Sequence, residues 1–262
     1  MKKKKHEESE ELQKLDWRMH AATTISKDAD PNSGYQYKKG DAVKTYIEVK
    51  YSKGTVGFGV PNPIAMYLNL SHTLINKAES LFHILPLKQK VKQRQILSDD
   101  TIVFDFYESL FGSIVMAYTS IEAFANEYIP EDYNYERKIK DKIQILNKSD
   151  IERRVNLDEK LLNILPDIFE INFTKQSPKW EKYKILQNNR DRIIHFKSKD
   201  IYPDRTQILQ GAQMKLLDNI WNSLLNESIF DAHKIAIDII SHFMNNRDTK
   251  KQPRWFKKYP HL

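Results

Sequence analysis

Between Asn188 and His195 the chain concentrates two amides, two arginines, a carboxylate and an imidazole: Asn188, Asn189, Arg190, Asp191, Arg192 and His195. On a helix these fall within about two turns. An imidazole gives and takes a proton near neutral pH, and a guanidinium can hold a phosphate through two parallel hydrogen bonds. Arg190 and His195 are therefore the residue types that could cleave a phosphodiester without a metal. At about 100° per residue, Arg190 shares a stripe with Tyr183, Leu186, Ile193 and Ile194, while His195 lies roughly 140° away beside Asp191 and Asn188. A guanidinium on an apolar stripe must meet a carboxylate, a phosphate or a subunit boundary. Asp191, one turn before His195, is expected to orient the imidazole. A regular helix does not aim Arg190 and His195 at one atom, so either the helix is irregular there or two chains share the site. The plainer alternative is a buried ion pair for Arg190 and an ordinary surface position for His195.

Two other groupings carry chemistry. His72, Glu79 and His83 recur on one helical face, and Asp231, Asp238 and His242 repeat that spacing, so two facing sets could bind a transition metal. The acid and His of each set are four residues apart, a spacing that also serves a surface salt bridge. Near the C-terminus, Arg247, Lys250, Lys251, Arg254, Lys257 and Lys258 stand against Asp248 alone and interleave with Trp255, Phe256 and Tyr259. Cations for phosphates and aromatic faces for bases suit single-stranded RNA. The alternative is that Trp255 and Phe256 dock the tail while its lysines stay solvated.

The elements that must position these residues are mostly helical. Asn62 as cap with Pro63 at the first position opens a helix with Ile64, Tyr67, Leu68, Leu74, Ile75, Ala78, Leu81, Phe82 and Leu85 at helical spacing, ending before Pro86. From Ser98 or Asp99 a second helix carries Val103, Tyr107, Leu110, Ile114, Ala117, Ile121, Phe124 and Tyr128 in unbroken steps of three and four up to Pro130. The charged stretch from Asp132 to Phe173, broken by Pro166, reads as shorter helices. Ser177 and Pro178 repeat the cap-plus-proline start, and a last helix is expected from about Ala212 to Met244. Period-two alternation of Thr45, Ile47, Val49 and Tyr51, then of Val56, Phe58 and Val60, predicts a β-hairpin. The fold class is thus all-α, an up-and-down helical bundle with a small N-terminal β-hairpin. Residues 1–44 read as a partly disordered charged arm with one short helix around Glu11 to Met19, 45–60 as the hairpin, 61–245 as the bundle and 246–262 as a basic aromatic tail.

Composition narrows the chemistry further. The 262 residues contain no Cys, which removes disulfides, thiolate metal sites, iron–sulfur clusters and cysteine nucleophiles. Only 7 are Gly, and Gly54, Gly57 and Gly59 are not in the order of a nucleotide-binding loop, so Rossmann and P-loop folds are disfavoured. The net charge of +7 fits a polyanionic partner. The basic Met1 to Lys5 runs into the acidic Glu7 to Glu11 with no apolar block behind it, so no signal peptide is read. No window approaches the ~18 to 20 apolar residues of a membrane span, and a cytoplasmic protein is expected.

An all-helical domain with Ser120, Ile121, Glu122, Ala123, Phe124, Ala125, Asn126 and Glu127 on a long helix, followed by Asn189, Arg190, Asp191, Arg192, Ile193, Ile194 and His195, resembles the HEPN superfamily. Its hallmark is Arg, a polar residue, a short spacer and His. Arg190, Asp191 and His195 match it, and Glu122 sits where such proteins often carry an acid. The resemblance covers about residues 61 to 245. It implies a metal-independent endoribonuclease without cofactors that works as a homodimer, both motifs facing a shared cleft, commonly a toxin with an antitoxin or regulatory partner, or an antiphage-defence effector. In that reading His195 shuttles the proton as a ribose 2′-OH attacks phosphorus, Arg190 stabilises the phosphoryl charge, and a 2′,3′-cyclic phosphate remains. Asp191, Asn189, Arg192 and Glu122 then support the pair, and Lys197, Lys250, Lys251, Arg254, Trp255, Lys257 and Lys258 bind RNA. The alternatives are a non-catalytic helical module that binds nucleotide, RNA or another subunit, and the metal-binding bundle.

Overall fold

A computed structural model describes residues 14–24, 36, 38, 42–85, 100–140, 142–195, 229–247 and 252–259. These residues are predominantly helical, with three two-stranded antiparallel sheets. The chain divides into two compact units, Met1–Met66 with Arg247–Leu262, and Tyr67–Asn246. None of the described helices is long and apolar enough to cross a membrane.

In the first unit, strand β1 (Ala22–Thr24) pairs with β2 (Ala42–Lys44), and β3 (Tyr46–Tyr51) pairs with β4 (Gly54–Gly59). Thr45 joins the two sheets: its N–H donates to the Ala21 carbonyl and its own carbonyl accepts from Val60. The expected hairpin forms, with Ile47 opposite Phe58 and Val49 opposite Val56. Directly opposed residues share a face, so these four with Tyr51 make one apolar face, and all five side chains are exposed. The helix expected over Glu11 to Met19 does not extend through its described residues. Asp16 accepts the Arg18 N–H and grips its guanidinium at 3.0 and 2.6 Å, a local bond that competes with helix formation. Met19 instead bridges to Pro61. A Cβ on Gly59 would lie 2.3 Å from Met19 Cε, so a side chain there would make the Met19 methyl move aside.

The second unit is built on long helices. Helix α1 (Pro63–Ile84) begins as expected: Asn62 Oδ1 accepts the Ala65 N–H at 2.9 Å, and Pro63 needs no partner at the first position. Helix α2 (Thr101–Glu127) buries Phe106, Leu110, Ile114, Ala117, Ile121 and Phe124 along one stripe. Ser71 meets Ser113 and Phe82 meets Phe106, so α1 and α2 run antiparallel. Each serine hydroxyl donates to the other's carbonyl, at 3.0 and 2.9 Å, which satisfies both polar groups where the helices cross.

Between α2 and the next long helix the structure departs from the sequence expectation. Asn134–Ile139 (β5) and Lys142–Asn147 (β6) form a hairpin rather than a helix. Lys140 adopts φ 53°, the left-handed conformation that a two-residue hairpin turn requires. Only Leu146 is fully buried among these strands, and Ile139, Ile143 and Ile145 are exposed, so the apolar residues do not mark the buried face. Short helices α3 (Lys148–Arg154) and α4 (Leu157–Glu159) follow, capped by Asn147 and Asn156. A π-helical turn, Lys160–Ile164, leads into α5 (Leu165–Phe169), where Pro166 lies in the first turn.

Helix α6 (Pro178–Ile194) starts at the Ser177 cap as expected. Of the last helix, residues 212–228 lie outside the described ones; a 3-10 turn at Ile229–Asp231 precedes α7 (Ala232–Met244). Phe106 meets Phe230, and Phe124 meets Phe243, so α2 and α7 share a direction. Phe173, just before α6, meets Phe243, and Lys182 pairs with Asp238, which sets α6 antiparallel to α7.

Candidate functional site

Helix α6 turns Trp180, Tyr183, Leu186 and Asn189 into the protein. This face is narrower than the stripe expected from the sequence: Ile194 is exposed, and Arg190 lies at its edge with 28% of its side chain accessible. The guanidinium carbon is 5.0 Å from the ring centroid of Tyr118 on α2, and Nη1 donates to the Asp191 carboxylate at 2.9 Å. The partner that the stripe position demands is thus an aromatic face together with a partly exposed neighbouring carboxylate. It is not a buried ion pair.

Tyr118 is itself buried and lies nearly parallel to Tyr183, with centroids 6.2 Å apart and planes 16° apart. Tyr183 donates its hydroxyl to Asp158 at 2.6 Å, and Asp158 also accepts from Lys184 at 2.7 Å and Gln187 at 3.0 Å. Lys184 also bonds to Gln187. Burial would push the Asp158 carboxyl up, but the hydrogen bonds from Lys184 and Tyr183 outweigh it and hold the group below its usual range. Burial first, then the bond to Asp158, drives the Tyr183 phenol far up. Burial likewise raises Tyr118, against the opposing pull of Gln187, Tyr183 and the Arg190 cation.

One and two turns beyond Tyr118 on α2 come Glu122, which is exposed, and Asn126. Asn126 Oδ1 accepts from Lys160 Nζ at 2.7 Å, and the Glu152 carbonyl accepts at 3.3 Å. Lys160, on the π-helical turn, is only 2% exposed, and burial pulls its pKa down despite the charges of Glu122 and Glu152.

His195 is exposed at the C-terminal cap of α6, where its N–H donates to the Asp191 carbonyl at 2.9 Å. Asp191 therefore does not orient the imidazole as expected: its carboxylate turns to Arg190, and only its backbone supports His195. Arg192 is exposed. Asn189 is buried with its amide oxygen unpartnered among the described residues. Four residues lie between Arg190 and the capping His195, a step of five positions that at about 100° per residue turns them roughly 140° apart about the α6 axis.

The tail corrects the RNA-binding assignment of Trp255. Its ring is wholly buried and packs edge-on with Phe256, leaving no face for a base. Arg254, in α8 (Arg254–Lys257), donates to the carbonyls of Asp16 and Leu15 at 3.0 and 2.9 Å. Those bonds engage it in holding the first unit together. Lys257 and Lys258 are exposed; Lys197, Lys250 and Lys251 lie outside the described residues.

The facing metal sets do not assemble. No group of three or more His, Asp or Glu among the described residues is placed to hold a metal. His72 bonds to Asn76 and packs its ring 4.9 Å from that of His233, Asp231 pairs with Lys234, and His242 reaches the Asn172 carbonyl.

Sequence spacing did not reveal Tyr118, Asp158 or Lys160. Tyr118 stands one residue behind the apolar stripe, and the other two are single charged residues among many. No family model, curated protein or solved structure matches this chain.

Proposed function

We propose that α1, α2, α6 and α7 are the legs of an up-and-down bundle of HEPN type, and that the chain is a metal-independent endoribonuclease acting as a homodimer. The observation that carries this reading is the state of Arg190: its guanidinium lies on a ring and touches one partly exposed carboxylate, so its remaining N–H donors are available to a phosphate. His195 complements it, an exposed imidazole whose ring makes no hydrogen bond to a described residue. In the reaction a ribose 2′-OH attacks the adjacent phosphorus, the 5′-oxygen leaves, His195 moves the proton, and Arg190 stabilises charge on the phosphoryl oxygens. A cyclic phosphate and a 5′-OH result. The divergence of Arg190 and His195 on one helix favours a site made from two chains, Arg190 of one subunit facing His195 of the other. Exposed Lys257 and Lys258 supply phosphate contacts, and the role is that of a toxin or antiphage-defence effector.

The test is incubation of RNA with the protein in EDTA. Wild type yields cyclic-phosphate ends, and His195→Ala and Arg190→Ala each lower the rate at least ~100-fold while remaining folded. RNA that is bound but left intact by wild type makes the protein a non-catalytic binding module instead.

A further inference from the structure

We infer that Tyr118 is a positioning residue for Arg190: its ring fixes the plane of the guanidinium and leaves the in-plane N–H edge for an RNA phosphate. This rests on the reading of Arg190 as the phosphate-binding cation. The argument begins with what an arginine can do on a helix face. Its side chain has several rotatable bonds, and a guanidinium at the edge of an apolar face could fold back along the helix or swing into water. At 5.0 Å above an aromatic ring it is attracted to the ring's negative face, which restrains the plane without using any N–H donor. A carboxylate in the same position would consume the fork that a phosphate needs. Of the five donors, the one bond found goes to Asp191, from Nη1.

The platform is itself immobilised. Tyr118 is buried, stacks on Tyr183, and Tyr183 is tied through its hydroxyl to Asp158, which Lys184 and Gln187 also hold. Three of these residues, Tyr183, Lys184 and Gln187, lie on the same helix as Arg190, whereas Tyr118 is on α2 and Asp158 on α4. The plane of the guanidinium is therefore set by the packing of α2 against α6, with Asp158 bracing that contact. Only the ring is needed for this role; the Tyr118 hydroxyl is dispensable.

The experiment compares wild type with Tyr118→Phe, Tyr118→Leu and Tyr118→Met, each checked for an intact thermal transition. Tyr118→Phe keeps kcat within ~3-fold of wild type, whereas Tyr118→Leu and Tyr118→Met lower kcat at least ~30-fold with KM changed less than ~3-fold. An independent reading is the Arg190 Nε–H resonance, assigned by its loss in Arg190→Lys. It is shifted upfield by the ring in wild type and Tyr118→Phe, and returns to the position of a solvated arginine in the Leu and Met variants. Unchanged kcat in folded Leu and Met variants, or one resonance position in all four proteins, overturns the inference. If wild type leaves RNA intact, the nuclease reading fails by itself, and the resonance positions still decide whether Tyr118 sets the guanidinium.

Discussion

The carboxylate of Asp191 bonds to the guanidinium of its own neighbour, Arg190, at 2.9 Å, while its backbone carbonyl receives the N–H of His195. The side chain therefore moderates the cation and leaves the imidazole alone. Replacing Asp191 by Asn removes a negative charge from beside the Arg190 guanidinium but keeps the helix-end carbonyl. Asp191→Asn is expected to bind a 2′-O-methyl RNA, which cannot be cleaved, ~3 to 10-fold more tightly at low salt, and to lose less than ~10-fold in kcat. Binding isotherms and steady-state rates check this. A loss as large as that of His195→Ala would return Asp191 to the role of holding the imidazole.

The Tyr183–Asp158 bond gives stability a defined pH dependence. Tyr183 has its folded pKa raised above the ordinary 10.0, so its contribution is complete below pH 10 and is lost as pH rises above that value. Asp158 is lowered from 3.8, so its contribution is complete above that pH and is lost as pH falls below it. Tyr183→Phe should cost about 1 to 2 kcal/mol at pH 7, because a partly buried carboxylate loses a donor. It should also fall less steeply than wild type between pH 10 and 11. Urea midpoints at pH 7, 10 and 11 measure both effects, and parallel alkaline slopes would show that the phenol is not the linked group.

Local chemistry was legible in the sequence where a single residue decides the backbone. Asn62 with Pro63 and Ser177 with Pro178 each supply a cap acceptor and a first-turn residue without an N–H, and helices start at both places. The α2 stripe was equally readable, since eight apolar residues in steps of three and four bury one face only one way. The β5–β6 hairpin was not, because its turn depends on a left-handed Lys140 and the alternating isoleucines of β6, Ile143 and Ile145, lie on its exposed face while Gln144 and Leu146 face inward. In the candidate site, Arg190 announced that it needed a partner, but the partner's identity came from the packing of α2 against α6. The direction of the Asp191 carboxylate depends on a rotamer, which spacing along a helix does not specify.

Burial of Trp255 separates the tail's structural and electrostatic roles. Trp255→Ala empties a fully buried site and should destabilise the protein by about 3 to 5 kcal/mol. The folded fraction should bind RNA as wild type does. Lys257→Glu should leave the melting curve nearly unchanged while weakening RNA binding, with the slope of log affinity against log salt reduced by roughly 1. Fluorescence anisotropy with a fixed single-stranded RNA from 50 to 300 mM salt distinguishes the two variants. Weakened binding by folded Trp255→Ala at every salt concentration would mean that the ring reaches RNA after all.

A site shared between subunits makes a prediction that a site within one chain does not. Arg190→Ala keeps a good His195, and His195→Ala keeps a good Arg190. In a heterodimer of the two, one of the two composite sites contains both intact residues and the other contains neither. Equal mixing with free exchange makes half of the dimers heterodimers, so activity should recover to about a quarter of wild type. Each variant alone stays at least ~100-fold down. The measurement is cleavage of one RNA by each variant and by the two after unfolding and refolding together, with dimer formation checked by native mass. No recovery in a confirmed heterodimer would place Arg190 and His195 in the same chain's site.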